Sequence, residues 1–260
     1  MGIVRFAATG HGMLPFPHGT ETIDLSGLDS EHGVHIMGSA VPLWLTGLGI
    51  ARWGEGWVAS GGLEMRFRTE LFEGHPLTMH VEHLADAIDV RVVDHGDVAC
   101  VTARVLEHGR PSGETVVKGT PASRKVPSER ESLTGLRLSP LSFEFDANRD
   151  LAMTRELDDA DTWRSHEWAH PAWLASSANA MIRRSIDFGN PPTWINAGTD
   201  IDFHGVVHHG ESVTVEGSVS SMFDRGRHSF AVIDFVATAG ERRVLSMRYT
   251  LIYASDSRGD

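Results

Sequence analysis

Hydrophobic and polar residues alternate with a period of two in several segments of the chain. The clearest are residues 212–219 and 243–251, where apolar side chains recur at every second position along most of each segment. Such alternation predicts strands of an antiparallel sheet with one buried face and one solvated face. Shorter strands are predicted at residues 3–6, 21–25 and 141–145.

Two apolar stretches have the length and the spacing of helices. They cover residues 41–53 and 171–188. In the second stretch, Leu174 and Ala178 recur at helical spacing, and Pro171 stands at the first helical position, where proline is favoured. Predicted strands follow each stretch, so the chain consists of two units in which one helix precedes an antiparallel sheet.

A faint internal repeat relates the two units. Residues 62–67 align with residues 198–203 at an offset of 136 positions, from 62 to 198. Further along, Arg104 aligns with Arg248 at an offset of 144 positions. The second copy is therefore eight residues longer over this stretch, which predicts a longer hairpin around residues 224–228.

The segment between the two units is rich in Pro, Ser, Gly and charged residues, a composition typical of a connection that crosses the surface. We therefore predict an N-terminal domain at residues 1–108, a linker at 109–139 and a C-terminal domain at 140–260. One helix followed by an antiparallel sheet, twice in one chain, is the layout of a double hotdog. The predicted class is α+β, with two antiparallel sheets, each wrapped on a central helix, joined side by side.

Composition and charge narrow the classes of partner. The chain has 260 residues, with 23 Lys and Arg against 35 Asp and Glu, and a formal net charge of −12. Neither nucleic acid nor an anionic membrane surface is expected, because both favour a basic protein face. No apolar run reaches the roughly 20 residues of a membrane helix, and no secretory signal is visible. Together with a single cysteine, Cys100, this predicts a cytoplasmic protein.

Two parts of the sequence carry a resemblance to a known family. Residues 170–253 begin with His-Pro-Ala-Trp-Leu-Ala-Ser-Ser-Ala-Asn and resemble the C-terminal half of two-domain MaoC-like proteins, the (R)-specific enoyl-CoA hydratases and acyl dehydratases. In the first unit, residues 30–35 (Ser-Glu-His-Gly-Val-His) resemble the family's hydratase signature. Residues 40–42 (Ala-Val-Pro) resemble the start of its central helix. The resemblance implies the double hotdog fold and chemistry on an acyl thioester.

The resemblance also implies catalytic residues. Hydration of an enoyl thioester needs an acid and base pair that holds one water. His35 matches the histidine of the family signature, whereas Ser30 stands at the position of its aspartate. Serine cannot serve as the carboxylate, so Asp29 and Glu31, which flank it, are the candidate partners of His35.

Four further residues are expected to bind the substrate. In the family, backbone N–H groups at the start of the buried helix hold the thioester oxygen, where the helix dipole helps. In this chain these are the N–H groups near Ala40 and Val41. His170 precedes the second helix and is expected to line the same kind of pocket, and Asn179 is expected to direct its amide towards a thioester. The implied substrate is carried on coenzyme A or an acyl carrier protein, with no other cofactor.

Histidine clusters raise the question of a metal site. His166-Glu-Trp-Ala-His170 matches the H-E-x-x-H zinc signature, which requires both histidines on one face of a helix. Pro171 disfavours helical conformation at His170, so we expect the helix to begin at Pro171 and no metal to bind. The second histidine cluster, residues 204–209, is interpreted as a solvated loop, with a metal site or a substrate contact as alternatives.

Three functions stay open at this point. The first is a MaoC-like lyase that hydrates a 2-enoyl thioester or dehydrates a 3-hydroxyacyl thioester. The second is a hotdog thioesterase or tailoring enzyme, which is disfavoured because neither predicted helix carries a carboxylate before residue 187. The third is a non-catalytic subunit that binds an acyl thioester, which Ser30 in place of aspartate favours. A second copy or a related hotdog subunit is the expected protein partner.

Overall fold

The computed structural model describes residues 2–7, 38, 41–69, 71, 76–110, 121, 125–127, 133–154, 157, 159–188 and 194–255. Its strands are β1 (Gly2–Ala7), β2 (Gly62–Phe67), β3 (Pro76–His83), β4 (Ala87–Val93), β5 (Ala99–Leu106), β6 (Val126–Pro127), β7 (Leu141–Glu144), β8 (Ile186–Asp187), β9 (Ile195–Phe203), β10 (Ser212–Arg225), β11 (His228–Ala239) and β12 (Arg242–Ser255). Its α-helices are α1 (Pro42–Trp53), α2 (Ala147–Asp150), α3 (Ala160–Ser165) and α4 (Pro171–Ser185), and 3₁₀ turns cover Glu55–Ala59 and Leu151–Thr154.

Both predicted central helices are present. α1 and α4 each begin with a proline at the first helical position, where the missing N–H costs no helical hydrogen bond. The second helix is shorter than predicted, because the chain leaves it at Ile186 and pairs as β8 with β6 in parallel. No described helix has both the length and the apolar character that a bilayer crossing requires.

The described strands, except β6 and β8, form one antiparallel sheet. Its order is β1-β3-β4-β5-β2-β9-β12-β11-β10-β7. The order is the same from both ends when each strand is matched with its repeat, β2 with β9, β5 with β12, β4 with β11 and β3 with β10. The two sheets, predicted to join side by side, form one continuous sheet, because β2 and β9 bond to each other at a central seam.

The register at this seam confirms the internal repeat. Glu64 lies directly opposite Asp200, and Arg66 lies opposite Gly198. The sequence offset of 136 positions carries residue 64 onto residue 200, so this pair maps onto itself when the two copies are exchanged. A pseudo-two-fold axis therefore passes through the seam. The two halves are related like the subunits of a symmetric dimer that is fused into one chain.

Two arginines neutralise the carboxylates that face each other at the seam. Like charges at opposite positions of an antiparallel pair repel each other. Arg66 makes a bidentate ion pair with Asp200, in which Nη2 lies 3.1 Å from Oδ2. Arg110 donates to Glu64, and its Nη1 lies 3.5 Å from Oδ2 of Asp200. The two arginines therefore let the halves join at these carboxylates.

The longer hairpin predicted for the second copy is also present. β10 and β11 contain 14 and 12 residues, whereas β3 and β4, their counterparts, contain 8 and 7. The hairpin turns at Gly226, whose φ of 62° lies in the left-handed region that favours glycine. Near its tip, the rings of Phe223 and Phe230 stack at 4.9 Å across the two strands.

The core lies between the sheet and the central helices. α4 is buried along most of its length, and Trp173 packs edge-on against Phe143 and Phe145 at 4.8 and 5.0 Å. Cys100 is buried as a free thiol, and its burial raises the pKa of that thiol. The α1 helix packs on β5 and contacts α4, so both central helices lie on the same face of the sheet.

Part of the predicted surface linker is buried. Leu133 and Leu138 have no exposed surface and belong to the hydrophobic core. The N–H of Leu138 donates to the carbonyl of Gly217 at 2.9 Å, which ties the segment to β10. The many polar residues of this segment led to the prediction of a surface linker, although two of its leucines anchor it to the C-terminal half of the sheet.

Candidate functional site

A buried chain of hydrogen bonds joins the beginning of α4 to the middle of α1. His170 caps α4, because its Nδ1 accepts a hydrogen bond from the N–H of Ala172 at 3.0 Å. A backbone N–H can only donate, so Nδ1 is unprotonated and the proton of the ring lies on Nε2. Nε2 then donates to Oγ1 of Thr46 at 3.0 Å, and Thr46 donates to Oδ2 of Asp159 at 3.0 Å.

These contacts make His170 a neutral structural group. The side chain has no exposed surface, and its ring lies 4.4 Å from the ring of Trp163. Burial lowers the pKa of His170 from 6.5 to about 3, so the imidazole carries no charge near neutral pH. Both ring nitrogens are already engaged, which leaves no lone pair for a proton from a substrate. A contact between His170 and a substrate stays a prediction.

The beginning of α1 differs from that of α4. Val41, at the position before the helix, has no polar side chain that could cap it. Its own N–H donates to the carbonyl of Gly38 at 3.2 Å, and the N–H of Trp44 donates back to the carbonyl of Val41 at 3.0 Å. Pro42 has no N–H, and among the described residues the N–H of Leu43 has no acceptor.

The C-terminal half supplies polar side chains beside this helix start. A Cβ atom added to Gly38 would lie 2.6 Å from Nδ2 of Asn196 and 2.9 Å from the ring of Phe67. The Asn196 amide therefore lies against the backbone that leads into α1. Nδ2 also donates to Oγ1 of Thr199 at 3.0 Å, and Thr199 is buried on β9.

Asn179 lies on α4 and belongs to a second polar contact in the core. The hydroxyl of Tyr249 donates to Oδ1 of Asn179 at 3.3 Å, and both residues are buried. Burial raises the pKa of Tyr249, and a hydrogen bond with the Trp194 side chain opposes this shift. Tyr249 therefore stays a neutral donor, and it lies opposite Thr199 in the β12–β9 pair. The predicted role of Asn179 in binding a thioester stays a prediction.

Four residues predicted for the site lie outside the described part of the chain. They are His35, Asp29, Glu31 and Ala40. Their roles stay predictions. Val41 is described, and its N–H is engaged by Gly38, so Leu43 is the better candidate for a helix donor.

The H-E-x-x-H motif does not lie on one helix. α4 begins at Pro171, as predicted, and His166 lies at the end of α3 instead. The ring of His166 stacks on Trp168 at 4.2 Å, and its Nε2 lies 2.9 Å from Oε2 of Glu55. Among the residues that the structure describes, no group of three His, Cys, Asp or Glu side chains is arranged to hold a metal ion.

The interpretation of the second histidine cluster as a solvated loop is wrong for part of its length. Val207 is fully buried, and its carbonyl accepts a hydrogen bond from the N–H of Ala169 at 2.8 Å. Nε2 of His204 lies 2.9 Å from Oγ of Ser246, and burial lowers the pKa of His204. Only the end of the cluster, including His208, is exposed.

Sequence reasoning missed the residues that make these contacts. Thr46 and Asp159 are 113 positions apart, and no motif contains either of them. Asn196 stands near the beginning of a strand, and no motif contains it. A polar residue in the middle of an apolar helix, such as Thr46, is the one signal that could have drawn attention, because a buried hydroxyl needs a partner.

Comparison with solved structures shows the fold. A MaoC domain protein dehydratase from Chloroflexus aurantiacus J-10-fl aligns with a TM-score of 0.56 at 15% identity, over 84% of this chain and 82% of that chain. A conserved hypothetical protein from Mycobacterium tuberculosis, which has a double hotdog fold, aligns with a TM-score of 0.55 at 11% identity, over 92% and 87%. A MaoC-like dehydratase gives a TM-score of 0.53 at 12% identity, over 87% and 86%. The chain therefore has the double hotdog fold of MaoC-like proteins.

Sequence comparison adds nothing to this result. No protein-family model matches the chain, and neither does the sequence of any curated protein. At these low identities the structural similarity establishes the fold alone. The chemistry follows from the residues of this chain.

Proposed function

We propose that the chain is a MaoC-like enzyme that hydrates 2-enoyl thioesters or, in reverse, dehydrates 3-hydroxyacyl thioesters. Hydration bonds the oxygen of a water to C3 of the acyl chain and brings a proton to C2. Negative charge develops on the thioester oxygen during the reaction, so the site needs hydrogen-bond donors there as well as a base.

The difference between the two helix starts carries this proposal. A symmetric pair of hotdog units has two equivalent places for a site, one at the start of each central helix. At α4, the cap by His170 and its bond to Thr46 occupy that place. The α1 helix has no side-chain cap, and the hydratase-like residues 30–35 precede it in the sequence. We therefore assign the reaction to the start of α1.

In this proposal the N-terminal half supplies the groups that move protons. His35 takes a proton from the water that attacks C3 and delivers a proton to C2, and Asp29 or Glu31 orients that water. The N–H of Leu43 donates to the thioester oxygen, with support from the positive end of the α1 dipole. Coenzyme A or an acyl carrier protein carries the acyl group, and no other cofactor takes part.

The test is an assay of the purified chain with crotonyl-CoA and a longer 2-enoyl-CoA, followed by the loss of the enoyl absorbance. The proposal predicts loss of absorbance and formation of the matching 3-hydroxyacyl-CoA. An assay for free thiol, with saturated and unsaturated acyl-CoA, runs in parallel. Thiol release without hydration would identify a thioesterase, and no turnover with a raised melting temperature would identify a binding subunit. Either of these results would overturn the lyase.

The composition of the helices weighs against thioester hydrolysis. No Asp or Glu occurs within α1 or α4, as their observed bounds show. Hydrolysis needs an acid on or near the central helix that activates water, and Asp159, which contacts α1 through Thr46, is already held in the buried chain of hydrogen bonds. The MaoC-like reaction takes its base from the loop before α1 instead, which is where His35 stands in the sequence.

A further inference from the structure

We infer that Asn196 is a substrate-binding residue, which the C-terminal half contributes to a site in the N-terminal half. Its side-chain N–H would donate to the thioester oxygen beside the N–H of Leu43. This inference rests on the proposed function and names a donor that the sequence pattern did not indicate. The site would then be formed by residues from both halves of the chain.

The hydrogen bonds of Asn196 fix the direction of its amide. The N–H of Gly198 donates to Oδ1 at 3.0 Å, and a backbone N–H requires an oxygen at that place. The NH₂ group therefore occupies the other side of the amide, where it reaches Thr199 at 3.0 Å and lies next to Gly38. The amide cannot turn over without placing NH₂ against the N–H of Gly198.

One of the two N–H groups of the Asn196 amide has no hydrogen-bond acceptor among the described residues. An Asn side chain carries two N–H donors, and Oγ1 of Thr199 accepts one of them. In the described part of the chain, the second N–H has no acceptor. A half-buried amide donor of this kind gains a hydrogen bond when an acceptor such as a thioester oxygen arrives.

The position of Asn196 places that donor at the start of α1. The carbonyl of Gly38 accepts a hydrogen bond from the N–H of Val41, so the backbone that Asn196 touches leads directly into the helix. Any side chain at position 38 would push into Nδ2, which explains a glycine at this place. The neighbouring polar groups, Tyr249 and Thr199, are neutral donors and acceptors, which suits an uncharged carbonyl oxygen.

The test compares Asn196→Ala and Asn196→Asp with the full-length wild type in the enoyl-CoA hydration assay. Asn196→Asp keeps an oxygen for Gly198 and removes the donor, so it separates binding from local folding. We expect kcat to fall about 100-fold in both variants, as for the loss of one oxyanion donor, while KM changes less than about threefold. Asn148→Ala, an exposed asparagine on α2, is the matched control and should keep the wild-type kcat.

A second variant tests the contact by another route. Gly38→Ala should displace the amide and lower kcat, and combining it with Asn196→Asp should lower kcat little further, because both changes remove one interaction. Effects that multiply would contradict the contact. Folded Asn196 variants with the wild-type kcat would refute the role of Asn196 while leaving the proposed function intact. A wild type without hydration activity would overturn both.

Discussion

Nε2 of His170 lies 3.0 Å from the hydroxyl of Thr46, and this bond joins the start of one central helix to the middle of the other. The hydroxyl of Thr46 in turn donates a hydrogen bond to Asp159. Three polar side chains that are buried or nearly buried therefore satisfy one another's hydrogen-bonding groups. One of the two equivalent helix starts is thereby closed. In the proposed function, the substrate binds at the other start, at α1.

Thr46→Val should destabilise the fold by about 2 to 3 kcal/mol. Valine has nearly the same shape, but it leaves the Nε2–H of His170 without its acceptor and removes a donor from Asp159, which costs the desolvation of buried polar groups. Thr46→Ser keeps the hydroxyl and should lose less than about 1 kcal/mol. Urea unfolding followed by circular dichroism measures both changes. A valine variant as stable as the wild type would show that the Thr46 hydroxyl contributes nothing to the free energy of unfolding.

The pH dependence of stability should report the burial of His170. Its pKa is about 3 in the folded chain and near the ordinary 6.5 when unfolded, so the unfolded chain binds more protons between these values. The free energy of unfolding should therefore fall as the pH drops below 6.5, by up to about 1.4 kcal/mol per pH unit from this group.

His170→Asn is the matched variant for that measurement. Asparagine can still accept from the N–H of Ala172, and it does not titrate. Other carboxylates titrate in both proteins, so the difference between their two unfolding curves isolates His170. The difference should shrink as the pH falls through the window and stay constant above pH 6.5. Parallel curves throughout would mean that the imidazole is protonated as easily in the fold as in the unfolded chain.

Two glycines of α1 should respond to alanine in opposite directions. A Cβ atom at Gly49 would lie 2.6 Å from the buried ring of Trp57, whereas one at Gly47 would lie 3.8 Å from Asp159, an ordinary contact. Gly47→Ala should stabilise by about 0.5 to 1 kcal/mol through lower backbone entropy in the unfolded chain. Gly49→Ala should destabilise by about 1 to 3 kcal/mol through overpacking. Thermal unfolding of both variants checks the signs, and two shifts of the same sign would contradict the packing.

Loss of Arg66 should weaken the seam between the halves. Arg66→Met leaves Asp200, whose side chain is 15% exposed, opposite Glu64 with Arg110 as its remaining counterion. We expect a loss of about 1 kcal/mol after solvent screening, because the arginine side chain is 43% exposed. Adding Glu64→Gln should recover part of that loss, since it removes the like-charge contact.

Arg91→Met is the control for the seam. Its ion pair with Asp97 spans 3.7 Å, and the carboxylate is 76% exposed, so its loss should change stability by less than about 0.5 kcal/mol. Equal effects of the Arg66 and Arg91 variants in urea unfolding would show that the seam gains nothing from its counterions.

The sequence predicted those parts of the fold that follow from local pattern. Period-two alternation identified the long strands, and the offset of 136 positions identified Glu64 and Asp200 as equivalent positions of the repeat, which the structure pairs at the seam. Pro171 predicted the beginning of α4 and excluded a helical zinc site at the H-E-x-x-H motif before it. Each of these signals depends on residues that are close together in the sequence or related by the repeat.

The contacts at the site could not be predicted in the same way. Thr46 meets His170 across 124 positions, and Asn196 meets the backbone at Gly38 across the boundary between the halves. Such contacts depend on how two helices and a twisted sheet pack, which periodicity does not encode. The burial of Leu133 and Leu138 was not predicted for a related reason. The composition of a polar segment is an average that does not reveal the few apolar residues that anchor it.

The most direct test of the proposed site is the rate of crotonyl-CoA hydration by wild type, His35→Ala and His95→Ala. His95 lies in an exposed turn between β4 and β5, so its alanine variant serves as the control. We expect wild type and His95→Ala to hydrate the substrate equally, whereas His35→Ala loses turnover and keeps its melting temperature. A folded His35→Ala variant with full activity, or a wild type that never consumes the enoyl group, would contradict a hydratase site at the start of α1.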